Sequence, residues 1–415
     1  MKKILWLCNV AFSNKKLRGT GTWLEATSEA LVDSGFELSN ITFGNVKKVT
    51  RSDAGAIKQW LVPKEKLSKK GLPSKETIRA IKDIESHLMP DLIQIWGTES
   101  YWGMLAVNKI IKSPVILEMQ GMLHLYEKVY YGGLSTKDVL SCIGLKEILF
   151  PKLLLQKKKK SFRERGKLEQ IIIKGTDHIS VQSEWVNSVV QHSNPSAKIY
   201  STKMLLRKQF YNAATWQHSS SSEPTIFTSS SGSVPYKGLY VVFRALSVLK
   251  EKYPNLKVRI AGNIPTTKST WRRDGYTNWL ISEAKKCNVE DAIEWLGPLD
   301  VNEIIKEIQQ ASVVVIPSYI ETYCLALAEA MYLGAPVVVS YSSAMTELAK
   351  DGESALYFPI GDHISCAAQV EKVLSDKSLA TKLGKNARET GIIRNAPENF
   401  IDNQISIYNE FLKSY

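Results

Sequence analysis

Residues 312–340, "SVVVIPSYIETYCLALAEAMYLGAPVVVS", contain two short apolar runs joined by a segment of helical composition. An apolar strand ends at Pro317, a helix is expected from near Thr322 to Gly334, and a second apolar strand follows Pro336. Short strands that are apolar throughout are typical of a parallel sheet covered by helices on both faces. The sequence therefore predicts an α/β domain around this stretch.

Two glutamates interrupt the apolar stretch. Glu321 precedes the expected helix and Glu329 follows eight residues later, about 12 Å away at most along a helix axis. Acidic side chains are seldom fully buried without a partner, and "LALAEAM" around Glu329 is too apolar for a solvent-exposed face. The pair suits a ligand with hydroxyl groups at two ends and an anion between them, such as a nucleotide sugar facing a helix N-terminus. The alternative is an ordinary surface helix with solvated glutamates.

Strands and helices alternate along the whole chain. Apolar runs such as "DLIQIWG" (91–97) and "HISVQS" (178–183) lead into polar or Gly-containing turns, and the alternation restarts after "WQHSSSSEP" (216–224). The alternation is typical of doubly wound parallel sheets, and a Ser-rich stretch closed by Pro has linker composition. We therefore predict two Rossmann-like domains, residues 1–212 and 213–395, with a ligand cleft between them.

Charge divides the chain at the same place. Residues 1–212 contain 34 Lys and Arg against 19 Asp and Glu, whereas the remainder contains 20 against 22. This imbalance predicts that the first domain meets something anionic, either phosphates or a membrane surface. No apolar run approaches the ~20 residues that span a bilayer, and "MKKILWLCNVAF" (1–12) is interpreted as a buried strand rather than a signal peptide. Five scattered cysteines without C-x-x-C spacing favour reduced thiols in the cytoplasm over disulfides or a zinc site.

Several motifs of the second half resemble those of retaining glycosyltransferases of family four, which have the GT-B fold. The E-x7-E pair follows a strand ending in Pro-Ser, and four further motifs fall in the family's order: "SGSVPYKGLYVVFRAL" (231–246), "VRIAGN" (258–263), "WLGPLD" (295–300) and "MTELAKDGESALYF" (345–358). The resemblance implies transfer of a sugar from a nucleoside-diphosphate donor with retention of the anomeric configuration. It implies no metal and no cofactor, and the sequence has no D-x-D. It also implies that the last helix (396–415) returns to pack on the first domain.

The resemblance assigns roles residue by residue. Glu321 matches the glutamate that binds the hexose hydroxyls, Glu329 the one that holds the ribose, and Lys237 the lysine that neutralises the diphosphate. A fixed cation there would stabilise the charge that grows on the leaving phosphate. Gly21 matches the glycine loop near the phosphates, and Gln120 occupies the position of a family histidine in the first domain, as a third catalytic candidate. Further donor contacts are assigned to Gly232, Gly262, Thr322, Tyr323, Cys324 and Leu325.

The sequence also departs from the family pattern. Ser231 or Ser233 stands where the family often has an Arg before the lysine, and Arg207 or Arg244 would have to replace it. Cys324 replaces a common glycine, which weakens the expectation of close backbone contact with the sugar. His124 either faces the cleft or has a capping or packing role. Without an evident base, deprotonation of the acceptor would fall to the donor phosphate.

A basic segment, residues 145–175, joins apolar clusters to nine Lys and Arg residues between Lys152 and Lys174. It is interpreted as an interfacial segment on an anionic membrane, with a solvated basic helix face as the alternative. A membrane site fits a saccharide acceptor that is lipid-linked, and "QGML" (120–123) is similar to enzymes of surface-polysaccharide synthesis. No nucleic-acid partner is predicted, because motifs that read or stack bases are absent from the sequence. Uridine is preferred over guanosine as the donor nucleoside.

Two other classes of protein are alternatives to a glycosyltransferase at the cytoplasmic face of a membrane. A nicotinamide-dependent dehydrogenase would need G-x-G-x-x-G directly after the first strand, where this chain has "NVAFSNKKLRGTGT" (9–22). A non-catalytic scaffold that binds nucleotide sugars or a membrane is the second alternative, and the presence of Lys237, Glu321 and Glu329 argues against it.

Overall fold

Two mainly parallel β-sheets follow one another along the chain. The structure is a computed structural model that describes residues 2–12, 22–218, 223–230 and 232–415. The first sheet contains β1 (Lys3–Leu7), β2 (Glu37–Gly44), β3 (Thr50–Arg51), β4 (Lys58–Pro63), β5 (Leu92–Trp96), β6 (Val115–Glu118), β7 (His178–Val181) and β8 (Lys198–Ser201). The second contains β9 (Thr225–Ser229), β10 (Lys257–Ala261), β11 (Ile293–Gly297), β12 (Val313–Ile316), β13 (Val337–Ser340) and β14 (Leu356–Phe358).

Helices connect the strands. Those before residue 212 are α1 (Thr22–Asp33), α2 (Lys75–Leu88), α3 (Trp102–Val107), α4 (Leu123–Lys128), α5 (Thr136–Ser141), α6 (Leu145–Leu149), α7 (Leu155–Lys174), α8 (Glu184–Ser193) and α9 (Lys208–Tyr211). Those that follow are α10 (Leu239–Leu249), α11 (Gly275–Lys286), α12 (Val301–Gln310), α13 (Leu325–Leu333), α14 (Met345–Leu348), α15 (His363–Ser375), α16 (Lys377–Asn395) and α17 (Pro397–Leu412). No helix in the described ranges is both long and apolar enough to span a bilayer.

The strand order of each sheet is doubly wound. The second sheet has the order β11-β10-β9-β12-β13-β14 with all pairs parallel, and the first has the order β3-β4-β2-β1-β5-β6-β7-β8 with only the β3–β4 pair antiparallel. Both orders run outward from a point of reversal, between β1 and β5 and between β9 and β12, which is the Rossmann arrangement. The predicted class, two Rossmann-like domains of a GT-B fold, is confirmed.

Helix α17 packs on the first sheet although it comes last in the chain. Its Ile407, Tyr408 and Phe411 are buried in one apolar cluster with Ile4 and Trp6 of β1. Burial of large apolar side chains is the main favourable contribution to such packing. The first sheet is therefore covered by helices from both ends of the chain, while the domain boundaries 1–212, 213–395 and 396–415 stay a prediction.

Candidate active site

The candidate site lies where the strand order of the second sheet reverses. The chain leaves β9 through a loop that ends in the 3-10 turn Pro235–Lys237, and it leaves β12 through a loop that contains Glu321. Because β9 and β12 are parallel neighbours, both loops emerge at the same edge of the sheet. Ligands of doubly wound sheets bind in the crevice at this reversal.

Gly238 holds the two loops together. Its φ of 67° lies in the left-handed region, and an added Cβ would lie 2.1 Å from the carbonyl oxygen of Pro317. Only glycine allows both the conformation and the close approach. The Lys-Gly pair therefore places Lys237 directly beside the end of β12.

Lys237 and Glu321 form a largely buried ion pair. The Lys237 Nζ donates to Glu321 Oε1 over 2.6 Å, and a Ser343 hydroxyl binds the Glu321 backbone. Burial by itself would lower the pKa of the Lys237 ammonium, but the Glu321 carboxylate outweighs burial and raises that pKa above its ordinary value. The site therefore places a fixed cation directly beside a carboxylate that balances its charge.

Glu329 is paired as well. Arg207, just before α9, donates to both carboxylate oxygens of Glu329, from Nε and Nη2 over 2.9 Å each. Burial raises the pKa of the Glu329 carboxyl, and Arg207 offsets only part of that rise. Glu329 thus lies at the junction of the two halves of the chain, with a guanidinium as its partner.

Both arginines that could replace the missing phosphate ligand are engaged by carboxylates. Arg207 binds Glu329, and Arg244 on α10 donates from Nε to Glu283 over 2.7 Å. A ligand phosphate that used either guanidinium would have to share it with, or take it from, a carboxylate. Of the predicted cations, Lys237 is the one that the structure places beside Glu321.

Helix α13 begins at Leu325, so the prediction of a start near Thr322 is wrong. The Thr322 hydroxyl donates to the carbonyl of Gln120 over 2.6 Å, and the Thr322 carbonyl accepts from the Ser183 hydroxyl over 3.0 Å. Contacts to the first domain thus occupy the groups of Thr322 that a helical turn would use. Glu329 consequently lies little more than one turn into α13, not two.

Cys324, the N-cap of α13, has the backbone of a glycine. Its φ is 81° and its ψ 76°, a region that L-residues seldom adopt. The close backbone geometry expected from glycine is therefore retained at this position, with a side chain in place. Burial raises the pKa of the Cys324 thiol far above its ordinary value, so the group is a packed thiol and not a nucleophile.

The other residues predicted to contact the donor have different environments. The Tyr323 hydroxyl points away from the site and accepts from Asn395 Nδ2 over 2.7 Å, while Leu325 begins α13. Gly262 follows β10 with a φ of 143°, and a Cβ there would lie 1.8 Å from the Ser230 carbonyl oxygen. The carbonyl of Gly232 accepts from the Ser230 hydroxyl over 2.7 Å. Gly21 lies outside the described residues.

Gln120 faces the site from the first domain. It follows β6, and its carbonyl accepts the Thr322 hydroxyl. Its Nε2 is buried and has no hydrogen-bond acceptor among the described residues. A buried donor without an acceptor is costly, so a ligand oxygen at this position would be stabilised.

Glu169 organises the first-domain side and was missed by the sequence analysis. This fully buried carboxylate accepts from the Thr98 hydroxyl over 2.6 Å, from the Leu123 and His124 amides over 3.0 Å each, and from His124 Nδ1 over 2.5 Å. It therefore caps α4 and holds the His124 ring by a hydrogen bond, so Glu169 and not His124 is the capping residue. No local pattern could reveal this, because Glu169 is 45 residues away from His124.

Further contacts close the two domains on each other. The Glu347 carboxylate accepts the amides of Glu184 and Trp185, at the start of α8, over 2.7 and 2.6 Å. Between α10 and the segment that follows α4, the Tyr240 hydroxyl donates to the Gly132 carbonyl over 2.8 Å. In the described part of the chain, no group of three or more His, Cys, Asp or Glu side chains is arranged to hold a metal ion.

Comparison with known sequences finds similarity in the second half. Residues 212–390 match the family model for glycosyl transferases group 1. The glycogen synthase of Mycobacterium tuberculosis is 29% identical over 153 residues, which are 37% of this chain and 34% of that protein. The D-inositol 3-phosphate glycosyltransferase of Stackebrandtia nassauensis has the same identity and coverage. The chain thus matches about a third of the length of these curated relatives.

Comparison with solved structures covers the whole chain. The sucrose-phosphate synthase of Thermosynechococcus elongatus superposes with a TM-score of 0.73 at 16% identity over 100% of both chains. Anabaena HepE in complex with UDP and glucose superposes with a TM-score of 0.66 at 14% identity, again over 100% of both. At these identities the likeness concerns the fold alone. The chain therefore has the GT-B fold throughout, and its residues 212–390 match the glycosyl transferases group 1.

Proposed function

We propose that this protein is a retaining, metal-independent glycosyltransferase that moves a hexose from a nucleoside-diphosphate sugar to a saccharide acceptor. The observation that carries the proposal is the buried Lys237–Glu321 pair at the strand reversal of the second sheet, inside the segment that matches glycosyl transferases group 1. A glycosyltransferase of this kind needs a cation for the leaving diphosphate and a carboxylate for the sugar, and this pair offers both.

In this proposal each residue has a distinct task. Lys237 moves its hydrogen bonds from Glu321 to the diphosphate and stabilises the charge that grows as the glycosidic bond opens. Glu321 then binds the hexose hydroxyls, and Glu329 the ribose, with Arg207 kept beside it. Gln120 Nε2 binds an oxygen of the sugar or acceptor, and the backbone from Thr322 to Leu325, with Gly232, Gly262 and Gly21, lines the donor path. The donor phosphate accepts the acceptor's proton.

The donor, acceptor and location belong to the same proposal. The donor is a uridine diphosphate sugar, in keeping with a structural neighbour solved with UDP and glucose. The acceptor is lipid-linked and serves surface-polysaccharide synthesis at the cytoplasmic face of a membrane. Support for an anionic surface comes from residues 1–212, in which 34 basic residues face 19 acidic ones.

Kinetics with a panel of nucleotide sugars test the proposal. Thermal stabilisation by one of them identifies the donor, and Lys237→Ala should then lower kcat about 10²-fold or more, because it removes a charge that acts mainly in the transition state. Lys382→Ala, an exposed lysine of α16, is the control and should leave kcat unchanged. A wild-type protein that binds a nucleotide sugar but transfers nothing to any acceptor or to water would support a scaffold instead.

A further inference from the structure

Helix α6 exposes its apolar side chains and buries its acidic one. Its apolar residues Leu145, Ile148 and Leu149 are 60%, 65% and 63% exposed, and Phe150 directly after it is 53% exposed. Its acidic residue, Glu147, is buried at 2%. A helix that faces water normally has the opposite arrangement. The exposed side of α6 therefore suits a non-aqueous partner.

The orientation of α6 is fixed by the buried Glu147. One carboxylate oxygen accepts the amide of Gly144 over 3.2 Å, at the start of α6, and the other accepts the amide of Gly275 over 2.9 Å, in the second domain. Gly275 packs so closely that an added Cβ would lie 1.6 Å from the carbonyl oxygen of Cys142. Rotating α6 to bury its apolar side would break these contacts, so the exposure belongs to the fold.

The second domain extends the same apolar surface. Trp271, in the 3-10 turn Thr270–Arg272, is 61% exposed, and Lys146 Nζ ties α6 to this turn by donating to the Arg272 carbonyl over 2.8 Å. Leu145, Leu149, Phe150 and Trp271 line one cavity of about 640 Å³ between the two elements. We call Leu145, Ile148, Leu149, Phe150 and Trp271 the apolar platform.

Three basic residues, Lys146, Lys268 and Arg272, line the cavity beside the apolar platform, and the surrounding sequence is basic. Residues 137–160 contain seven lysines and two acidic residues, and both acids are engaged: Glu147 is buried, and Asp138 accepts from Ser135 and Trp279. Lys268 and Arg272 line the cavity from the second domain. Exposed apolar side chains beside these cations match the interface of a bilayer with anionic lipids, where apolar groups enter below the headgroups and cations meet phosphates.

We propose that the apolar platform docks this protein on an anionic phospholipid bilayer. The inference extends the proposed function, because docking would bring the enzyme to a lipid-linked acceptor. The docking surface itself is inferred from the exposed residues of the platform alone. It also moves the docking surface away from the centre of the basic segment. Leu155, Ile172 and Ile173 of α7 are buried in the protein cores, so these apolar residues do not reach a membrane.

Because the platform combines residues of both domains, it is complete only when they are in contact. Leu145 to Phe150 belong to the first domain and Trp271 to the second, and the Glu147–Gly275 hydrogen bond joins them. A bilayer that binds the platform therefore also stabilises the closed arrangement of the domains.

Co-sedimentation of the full-length protein with phosphatidylcholine vesicles, with and without 30% phosphatidylglycerol, tests the inference. Wild type should bind the anionic vesicles, and salt should weaken the binding without abolishing it, because the apolar contribution is not screened. Ile148→Asp and Trp271→Ser should each lower the partition coefficient about tenfold, since an apolar contact is lost and, for Ile148→Asp, an anion is added. Lys268→Gln should lower it only on anionic vesicles.

The matched control is Ile393→Asp on α16, which changes an equally exposed isoleucine (75%) outside the platform and should bind as wild type does. Circular dichroism and melting temperature establish that each variant is folded. Binding by Ile148→Asp and Trp271→Ser at wild-type strength would overturn the inference. So would a wild-type dimer that these variants dissociate, since the platform would then be an interface between two copies.

Failure of this inference and failure of the proposed function give different results. Sugar transfer to a water-soluble acceptor should be unchanged in Ile148→Asp, because the platform contains none of the proposed donor residues. Vesicle binding without any sugar transfer would leave the platform standing and remove the proposed activity. Sugar transfer without vesicle binding would support the proposed activity and overturn the docking inference.

Discussion

At the residue scale, Cys324 shows how a glycine position can be recognised from its backbone. A left-handed φ of 81° costs an L-residue about 1–2 kcal/mol, and glycine escapes this cost. We therefore expect Cys324→Gly to be about 1 kcal/mol more stable than Cys324→Ala in urea unfolding, the reverse of the usual order in helices.

Cys366 provides the control for this comparison, because it is also buried but lies inside helix α15. There Cys366→Gly should be about 1 kcal/mol less stable than Cys366→Ala. The same order at both positions would contradict the strain assigned to Cys324.

The Arg207–Glu329 pair gives a second prediction at this scale. Each partner is largely buried, so Glu329→Gln or Arg207→Met alone leaves a buried charge and should lower the free energy of unfolding by about 2 kcal/mol or more. The double variant should lose less than the sum of the two.

A double-mutant cycle in urea measures the coupling between the two side chains. The Lys252–Glu371 pair has a similar distance, 2.6 Å, but both side chains are exposed, and its coupling should be much smaller than that of Arg207 and Glu329 because solvent screens it. Equal coupling in the two cycles would show that burial of the Arg207–Glu329 pair has no energetic effect.

Sequence reasoning found the residues that carry a local pattern and missed those that depend on distant partners. Lys237 stood out through the glycine after it, and Glu321 through its place after an apolar strand. Arg207 was named only as a phosphate ligand, because nothing within α9 indicates a partner 122 residues away. Glu169 had no signal at all, since either of the two glutamates in the basic helix α7 resembles a solvated residue.

Among the secondary-structure elements, the strands buried on both faces were predicted from the sequence. The partly exposed strands were not. β5, β6 and β7 are apolar runs, whereas β4 alternates between buried and half-buried residues and ends in proline, and β8 is a half-exposed edge strand. The predicted start of α13 was wrong because the Thr322 hydroxyl binds the carbonyl of Gln120 in the other domain. The local sequence signals for a helix start contain no information about such a contact.

Strand β6 ends in a carboxyl group that makes the fold sensitive to pH. Burial raises the pKa of Glu118 to about 8, and the Ser180 side chain beside the carboxyl group offsets only part of that rise. Between about pH 4.5 and pH 8 the folded state keeps a proton that the unfolded chain has lost. The free energy of unfolding should therefore fall as pH rises through this window, by at most about 1.4 kcal/mol per unit from this group.

Glu118→Gln should remove that slope and be more stable than wild type at pH 8. Urea unfolding at half-unit steps from pH 6 to pH 9 measures it. Glu371→Gln, at an exposed carboxylate, should keep the wild-type slope. A Glu118→Gln variant with the wild-type slope would mean that another group carries the pH dependence.

At the scale of the whole molecule, the contact of Gly275 with the first domain decides how closely the domains approach. Gly275→Ala places a methyl group 1.6 Å from the Cys142 carbonyl oxygen, so the backbones must separate. We expect a melting temperature several degrees lower and a larger radius of gyration by small-angle X-ray scattering. Gly232→Ala, where an added Cβ meets nothing within 4 Å, should change neither, and equal behaviour of both variants would contradict the close contact.

The chain crosses between its domains twice, and the two crossings are bound to each other. The buried Asn395, at the end of α16, donates to the Met204 carbonyl over 2.8 Å, and the Tyr211 hydroxyl donates to the Asn395 carbonyl over 3.0 Å. Trp216, at the start of the Ser-rich stretch, is anchored to the carbonyls of Leu333 and Ala311 over 2.7 Å each. Because the two crossings are bound to each other at one place, a change in the angle between the domains should pivot about that place.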